Sequence, residues 1–202
     1  MRRNYFGGND ITNYLQTLLK KKGYNLSNNL EDTCILNEIK EKFGFVSNDF
    51  EKEMEISNNN SDLNKVYKLP DGNEINIDKE RFECTEVLFQ PSLIGSEVNG
   101  IHEMIYNCVM KLDVDIRRDT YNNIVLSGGT TLFPGFAQRI EKEITQLNAN
   151  YYEVKVIAEP ERKYLSWIGA SITTSLSSFE NQWIPIEEYD EYGPSIVHKK
   201  CF

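Results

Sequence analysis

The chain has 202 residues, 31 of them acidic and 22 basic, for a formal net charge of −9. Hydrophobic residues make up 40% and charged residues 26%, a balance that fits a folded domain with a buried core and excludes a wholly disordered chain. The acidic surplus argues against sequence-independent nucleic-acid binding, which needs a basic surface; no apolar run approaches the roughly 18 residues of a membrane span, and the opening MRRNYFGGND lacks the apolar stretch of a secretory signal.

In chain order, residues 10–22 predict a helix. Asp10 is placed to cap it, Leu15, Leu18 and Leu19 share a face, three lysines suit the last turn, and Gly23 stops it. Residues 30–43 predict a second helix, with Ile35, Ile39 and Phe43 spaced by four and Gly44 at its end. Residues 48–57 predict a third, acidic helix, followed by the polar loop SNNNSDLN (57–64). KVYKL (65–69) and EINID (74–78) flank Pro70-Asp71-Gly72-Asn73, which is a hairpin signal. Residues 99–111 predict an amphipathic helix and 115–122 a short one.

From 123 the pattern alternates. A strand NIVLS (123–127) meets Gly128-Gly129, and a helix opens at Pro134 with Phe136, Ile140, Ile144 and Leu147 inward. A strand YEVKVIA (152–158) follows, then a helix near 163–177 carrying Trp167, Ile168, Ile172 and Leu176. The tail from 179 holds Trp183, Tyr189, Tyr192 and Lys199-Lys200. The fold class is α/β: a helical front with one hairpin, and a rear in which two strands run parallel across a helix. Two strands alone make a poor sheet, so either the hairpin joins them or the sheet lacks partners.

The cysteines Cys34, Cys84, Cys108 and Cys201 form no C-x-x-C pair and fit no zinc spacing. They are expected to be reduced thiols, the first three buried as small apolar side chains and Cys201 exposed. His102 lies in a helical pattern and His198 beside two lysines, so neither is a candidate for a metal site or a catalytic triad. The chemistry-bearing candidate is Leu126-Ser127-Gly128-Gly129-Thr130-Thr131. Glycines between a strand and a helix let the backbone approach a ligand, and free N–H groups there can face an anion. The run is neither a Walker loop nor G-x-G-x-x-G, so on its own a plain tight turn is the stronger reading and nucleotide binding the weaker. Glu161-Arg162-Lys163 reads either as a surface charge cluster or as a strand-end lysine aimed at a ligand. Glu187 and Glu188 read as a solvated helix face.

Long runs resemble actin: DIRRDTYNNIVLSGGTTLFPGFAQRIEKEIT (115–145), PERKYLSWIGASI (160–172) and EYDEYGPSIVHKKCF (188–202). ERFECTEVLFQPSLIGSEVNGIHE (80–103) and NEIKEKFGFV (37–46) resemble the same family in the same order. The likeness is to conventional actins and to their C-terminal half only. It implies a truncated or partial actin-like (ribonuclease H-like) ATPase fold, one lobe with a helical inserted subdomain. The implied division is a divergent start (1–7), a helical subdomain (8–96), an α/β core (97–164), and a segment (165–202) that in the family packs on the other lobe.

The resemblance also implies sites. Lys40, Glu41, Gly128, Gly129, Thr130, Phe133 and Lys163 would form the adenosine side of a site for ATP or ADP with Mg²⁺; Phe133 stands where the family usually has tyrosine. The family's phosphate hairpins carry Asp-x-Gly, which occurs nowhere in this sequence. Its cation-associated aspartates and water-positioning glutamine lie in the same missing half. No catalytic residue or metal ligand is therefore expected here, ATP binding is expected to be weak or absent, and hydrolysis by this chain alone is not expected. Leu93-Ile94-Gly95-Ser96 resembles the apolar plug loop between filament strands, with Ser96 in place of methionine. Ile168, Ile172, Leu176 and Ser178 resemble a wall of the cleft that receives actin-binding proteins. The implied partners are actin filaments or monomers and actin-binding proteins, and the implied setting is the cytoplasmic cytoskeleton and cell motility. The rival readings are a residual ATP-binding protein or ATPase, and a non-functional pseudogene product or piece of a longer gene product.

Overall fold

A computed structural model of the chain describes residues 2–4, 6–27, 29–59 and 64–201. Helix α1 (Gly8–Lys21) begins ahead of the expected start. Asp10 is therefore not the cap. It sits in the first turn, where its carboxylate accepts the Gly7 N–H at 2.8 Å. Ile11, Leu15, Leu18 and Leu19 are buried, and they pack against α2 (Leu30–Phe43). Asn29 caps α2 by accepting the Asp32 N–H at 2.6 Å. Helix α3 (Phe50–Asn59) follows. The expected polar loop begins inside it, and residues 60–63 of that loop lie outside the described residues.

Strands β1 (Lys65–Lys68) and β2 (Glu74–Ile77) form the expected antiparallel hairpin, with Tyr67 opposite Ile75. Tyr67, Ile75 and Ile77 face the core. Helix α4 (Glu80–Glu86) has no counterpart in the sequence reading. It buries Glu80, Phe82, Cys84, Thr85 and Glu86, so three of its five buried positions are polar and no apolar stripe marks a helical period. A 3₁₀ turn (Pro91–Ile94) leads to α5 (Ile101–Val109) and α6 (Val114–Tyr121).

Strand β3 (Ile124–Val125) and strand β4 (Val156–Ile157) pair in parallel, on either side of α7 (Phe136–Leu147) in the chain. The hairpin does not join them, so the strands of the described residues form two separate two-stranded sheets. This is why β3 and β4 are much shorter than the runs 123–127 and 152–158. Among the described residues no further strand lies alongside, and the ladder ends after Val125 and Ile157, although the Leu126 N–H still reaches the Ile157 carbonyl at 2.9 Å. Helix α7 starts later than Pro134 because the Pro134 carbonyl accepts the Val46 N–H at 2.8 Å. Gly135 then turns the chain at φ +83°, where any side chain would meet the Val46 backbone.

One apolar core holds these parts together, running from Ile11 and Leu36 through Ile75, Val87 and Phe89 to Tyr121, Phe136, Ile140 and Val154. Within it Arg139 of α7 pairs with Glu86 of α4 at 2.8 Å. The same guanidinium donates to the Ser47 carbonyl at 2.6 Å. Cys84 is buried and Cys108 half-buried, but Cys34 is exposed. Cys34 sits two positions before buried Leu36, roughly 200° around the helix, which places it on the solvent side. His102 packs on Phe89, with ring centroids 5.7 Å apart. Burial pushes its pKa down.

The C-terminal segment is different. Helices α8 (Leu165–Thr174), α9 (Ile186–Tyr192) and α10 (Val197–Lys200) follow one another with 3₁₀ turns between them. No residue of α8 is buried. Trp167 is 72% exposed and Ile172 60%. Among the described residues, the hydrogen bonds of 165–201 end within 161–201.

Candidate functional site

A cleft of about 370 Å³ opens where the start of α1, the C-terminal half of α2 and the loop after β3 meet. Lys40, Glu41, Gly129, Thr130, Phe133 and Lys163 line it, together with Gly8, Leu132 and Pro134. Residues 40–41, 129–133 and 163, far apart in sequence, thus converge on one space.

The loop after β3 is shaped by Gly128, which takes φ +98° and, unlike the other expected residues, does not itself line the cleft. Its N–H donates to the Arg162 carbonyl at 2.8 Å, and its own carbonyl accepts the Thr131 N–H at 3.1 Å and the Thr131 hydroxyl at 2.7 Å. Arg162 completes the tie. Its Nε and Nη2 donate to the Thr131 carbonyl at 3.2 and 3.1 Å, and its Nη1 donates to the Glu159 carbonyl at 2.9 Å. Its guanidinium is therefore not part of a loose surface charge cluster. It fastens the loops after β3 and β4 to each other, and this leaves Lys163, the next residue, at the cleft. A side-chain carbon on Gly129 would stand 3.9 Å from Lys163 Cγ.

Phe133 lies against Gly44, where an added Cβ would come within 2.8 Å of the Phe133 ring. The glycine that ends α2 therefore lets the ring seat at the cleft. Lys40 is only 8% exposed. Its Nζ donates to the Gly8 carbonyl at 3.1 Å, the Thr12 hydroxyl at 2.8 Å and Asn37 Oδ1 at 2.9 Å. That uses all three donors of an ammonium. Lys40 forms part of the wall, but its charge is spent on tying α1 to α2. Burial pulls its pKa down, with neighbouring Glu41 pulling the other way. Glu41 and Lys163 are exposed. Their charged ends are the ones open to a ligand.

Gly8, Leu132, Pro134 and Arg162 were not among the residues expected at this site. Gly7-Gly8 before a helix was the available signal for Gly8, whose Cβ would stand 3.2 Å from the Thr130 hydroxyl. Arg162 gave no signal, because its partners are backbone carbonyls brought near only by the fold.

The other expected surfaces lie apart from the cleft. Leu93 and Ile94 are exposed on the 3₁₀ turn, Gly95 closes it at φ +74°, and Ser96 is half-buried. Ile168 is half-buried, while Ile172, Leu176 and Ser178 are exposed. Among the described residues, no three His, Cys, Asp or Glu side chains converge to hold a metal ion. Among the described residues, no helix is long and apolar enough to cross a membrane.

Comparison with known proteins gives one consistent answer. The family model for actin matches residues 1–202. A Dictyostelium discoideum protein named "Putative actin-29" is 44% identical, over 96% of this chain and 51% of its own length. The chain thus spans about half the length of that relative. With the family model matched from end to end, the chain belongs to the actin family.

Proposed function

We propose that these residues form a cytoskeletal component of actin type whose cleft takes the adenosine end of an adenine nucleotide. The observation that carries this reading is the meeting of Lys40, Glu41, Gly129, Thr130, Phe133 and Lys163 in one cleft. The Phe133 ring offers an apolar face to a base. Gly129 allows close backbone approach, and the exposed Glu41 carboxylate can accept hydrogen bonds from sugar hydroxyls. Lys163 is the exposed cation available to an anionic group. Lys40 is already fully bonded within the protein. In this reading base and ribose supply most of the binding, because Lys163 alone among the cleft's charged ends is open to a phosphate. In this reading the chain corresponds to one lobe of a ribonuclease H-like fold, with 8–96 as its helical subdomain and 97–164 as its core. Exposed α8 and the turn at 93–96 are its surfaces for actin and actin-binding proteins in the cytoskeleton.

Titration calorimetry with adenosine, ADP and ATP, with and without Mg²⁺, tests the cleft. Adenosine and ATP are expected to bind within about tenfold of each other, a span of about 1.4 kcal/mol. Magnesium is expected to change neither, and no phosphate should be released. Lys163→Ala is expected to weaken ADP and ATP but not adenosine. Absence of adenosine binding overturns the assignment of the cleft. Co-sedimentation with actin filaments tests the cytoskeletal part, and failure to bind either filaments or monomers overturns it.

A further inference from the structure

A larger groove, of about 950 Å³, lies between the connection from α1 to α2, the first turns of α2 and the tip of the β1–β2 hairpin. Leu26, Ile35, Leu69 and Pro70 supply its apolar surface, and the first three of them rest on the main core. Its charges are all of one sign. Glu31, Asp32, Asp71 and Glu74 line it, and no Lys or Arg is among the described lining residues.

The protein does not neutralise these carboxylates from within. Asp32 accepts the Ser27 N–H and hydroxyl, each at 2.7 Å. Asp71 accepts the Asn73 N–H at 2.9 Å and the Asn73 side-chain amide at 2.8 Å. Those donors hold the two carboxylates in place but carry no charge. Glu31 and Glu74 are exposed, and among the described residues their side chains make no hydrogen bond or ion pair. Lys68 stands opposite Glu74 in the hairpin without pairing with it. Four like charges around one apolar space set up a potential that draws a cation.

Strand β2 adds main-chain groups to the same place. The Leu69 N–H donates to the Asn73 carbonyl at 2.8 Å, and the Asn76 N–H turns away from β1 to the Tyr24 hydroxyl at 3.1 Å. Opposed residues of an antiparallel pair alternate between hydrogen-bonded and non-hydrogen-bonded positions. Glu74 therefore shares the phase of Asn76 and directs its own N–H and carbonyl away from β1. Tyr24 covers this edge at Asn76, and no described residue covers it at Glu74. An open strand edge is a template for an added strand.

We propose that this groove docks an extended segment of another protein in which apolar residues alternate with lysine or arginine. Alternation along a strand puts successive side chains on opposite faces, so one set lies on Leu26, Ile35 and Leu69 while the cations meet the carboxylates. The main chain of the segment pairs with Glu74. A free cation would use the charge alone and an apolar small molecule the floor alone; a polypeptide uses both and the strand edge as well. A second copy of this chain, with its net charge of −9, brings mostly like charge to the groove. The site is separate from the nucleotide cleft and does not depend on that reading.

The test is nuclear magnetic resonance of backbone amides on the full chain, titrated with the hexapeptide acetyl-KVKVKV-amide. Saturable shifts are expected at Gly23, Leu26 and Glu74, and the Glu74 amide is expected to exchange with solvent more slowly in the complex. Acetyl-EVEVEV-amide is expected to give no saturable shift, and acetyl-KSKSKS-amide to bind at least about fivefold more weakly. Joint substitution Glu31→Gln and Glu74→Gln is expected to weaken the first peptide about fivefold, as loss of two exposed charge contacts does, with the melting temperature unchanged. Glu51→Gln with Glu55→Gln removes the same charge from α3 and is expected to leave the affinity unchanged. Equal weakening in the two double variants, equal binding of the acidic or the serine peptide, or no slowing at Glu74 overturns the proposal. So do shifts at Gly23 and Glu74 that appear without peptide as the chain is concentrated, which assign the groove to a second copy.

Discussion

The Lys40 ammonium sits 2.8 Å from the Thr12 hydroxyl, inside the packing of α1 on α2, and its other partners are the Gly8 carbonyl and the Asn37 amide oxygen. All three acceptors are neutral, so the charge is desolvated without a carboxylate bonded to it. Its pKa in the folded chain therefore falls below the ordinary 10.5. Between those two values the unfolded chain binds more protons than the folded one, so stability rises with pH in that window. Against Lys40→Met, the native chain is expected to gain relative stability as pH rises from neutrality towards 10.5. Urea midpoints of both chains at pH 7 and pH 10 check this. A constant difference between them would show that burial places no strain on the charge.

The Arg139–Glu86 pair makes the opposite kind of demand. Here the cation has the Glu86 carboxylate at 2.8 Å, both side chains almost fully buried, and a second, less buried carboxylate, Glu143, at 2.6 Å. Arg139→Met leaves Glu86 in the core without a cation, with the Gln90 amide still bonded to it, and frees the Ser47 carbonyl and the Glu143 carboxylate. The expected loss is about 3–5 kcal/mol. Joint replacement of Glu86 and Arg139 by methionine removes both charges and is expected to recover most of that loss. Thermal melts of the two variants decide the matter. A single variant that melts like the native chain would mean that water reaches Glu86.

Which parts were legible in the sequence follows from what each part depends on. Helix α2 was readable from Ile39 and Gly44 because its period and its stop are local, and the hairpin was readable from Pro70-Asp71-Gly72-Asn73 for the same reason. Helix α4 was not, because Glu80, Thr85 and Glu86 are polar yet buried and leave no apolar stripe at helical spacing. The lengths of β3 and β4 were not, because a ladder ends where its partners end, and partners are a tertiary fact. At the cleft, Lys40, Glu41, Gly129 and Lys163 came from long family-like runs. Arg162 holds backbone carbonyls, which carry no side-chain pattern.

Gly44 links the end of α2 to the cleft. An added methyl group at this position meets the Lys40 carbonyl and stands 2.8 Å from the Phe133 ring. Gly44→Ala is expected to cost about 1–3 kcal/mol, as overpacking does, and to displace Phe133 from the cleft. Adenosine affinity should fall with stability in this variant, whereas Lys163→Ala should leave stability unchanged. Calorimetric titration beside a thermal melt distinguishes the two. Unchanged melting in Gly44→Ala would mean that Phe133 moves aside without cost.

Helix α8 is apolar around more than one face, with Trp167 72% exposed, Ile172 60% and Ile168 half-buried. An apolar helix of this kind is ordinarily buried, and a contiguous exposed apolar surface marks a site of association. Trp183 and Ile186 extend the exposed apolar surface in the segment that follows, at 54% and 70% exposure. The chain in isolation is therefore expected to associate with itself as concentration rises, and sedimentation velocity reads this directly. Joint substitution Trp167→Lys and Ile172→Lys is expected to suppress the association. Because neither side chain belongs to the core, the melting free energy should move by no more than about 0.5 kcal/mol. Association that persists in the double variant would place the contact elsewhere, with the exposed β3 edge at Val125 as the next surface to test.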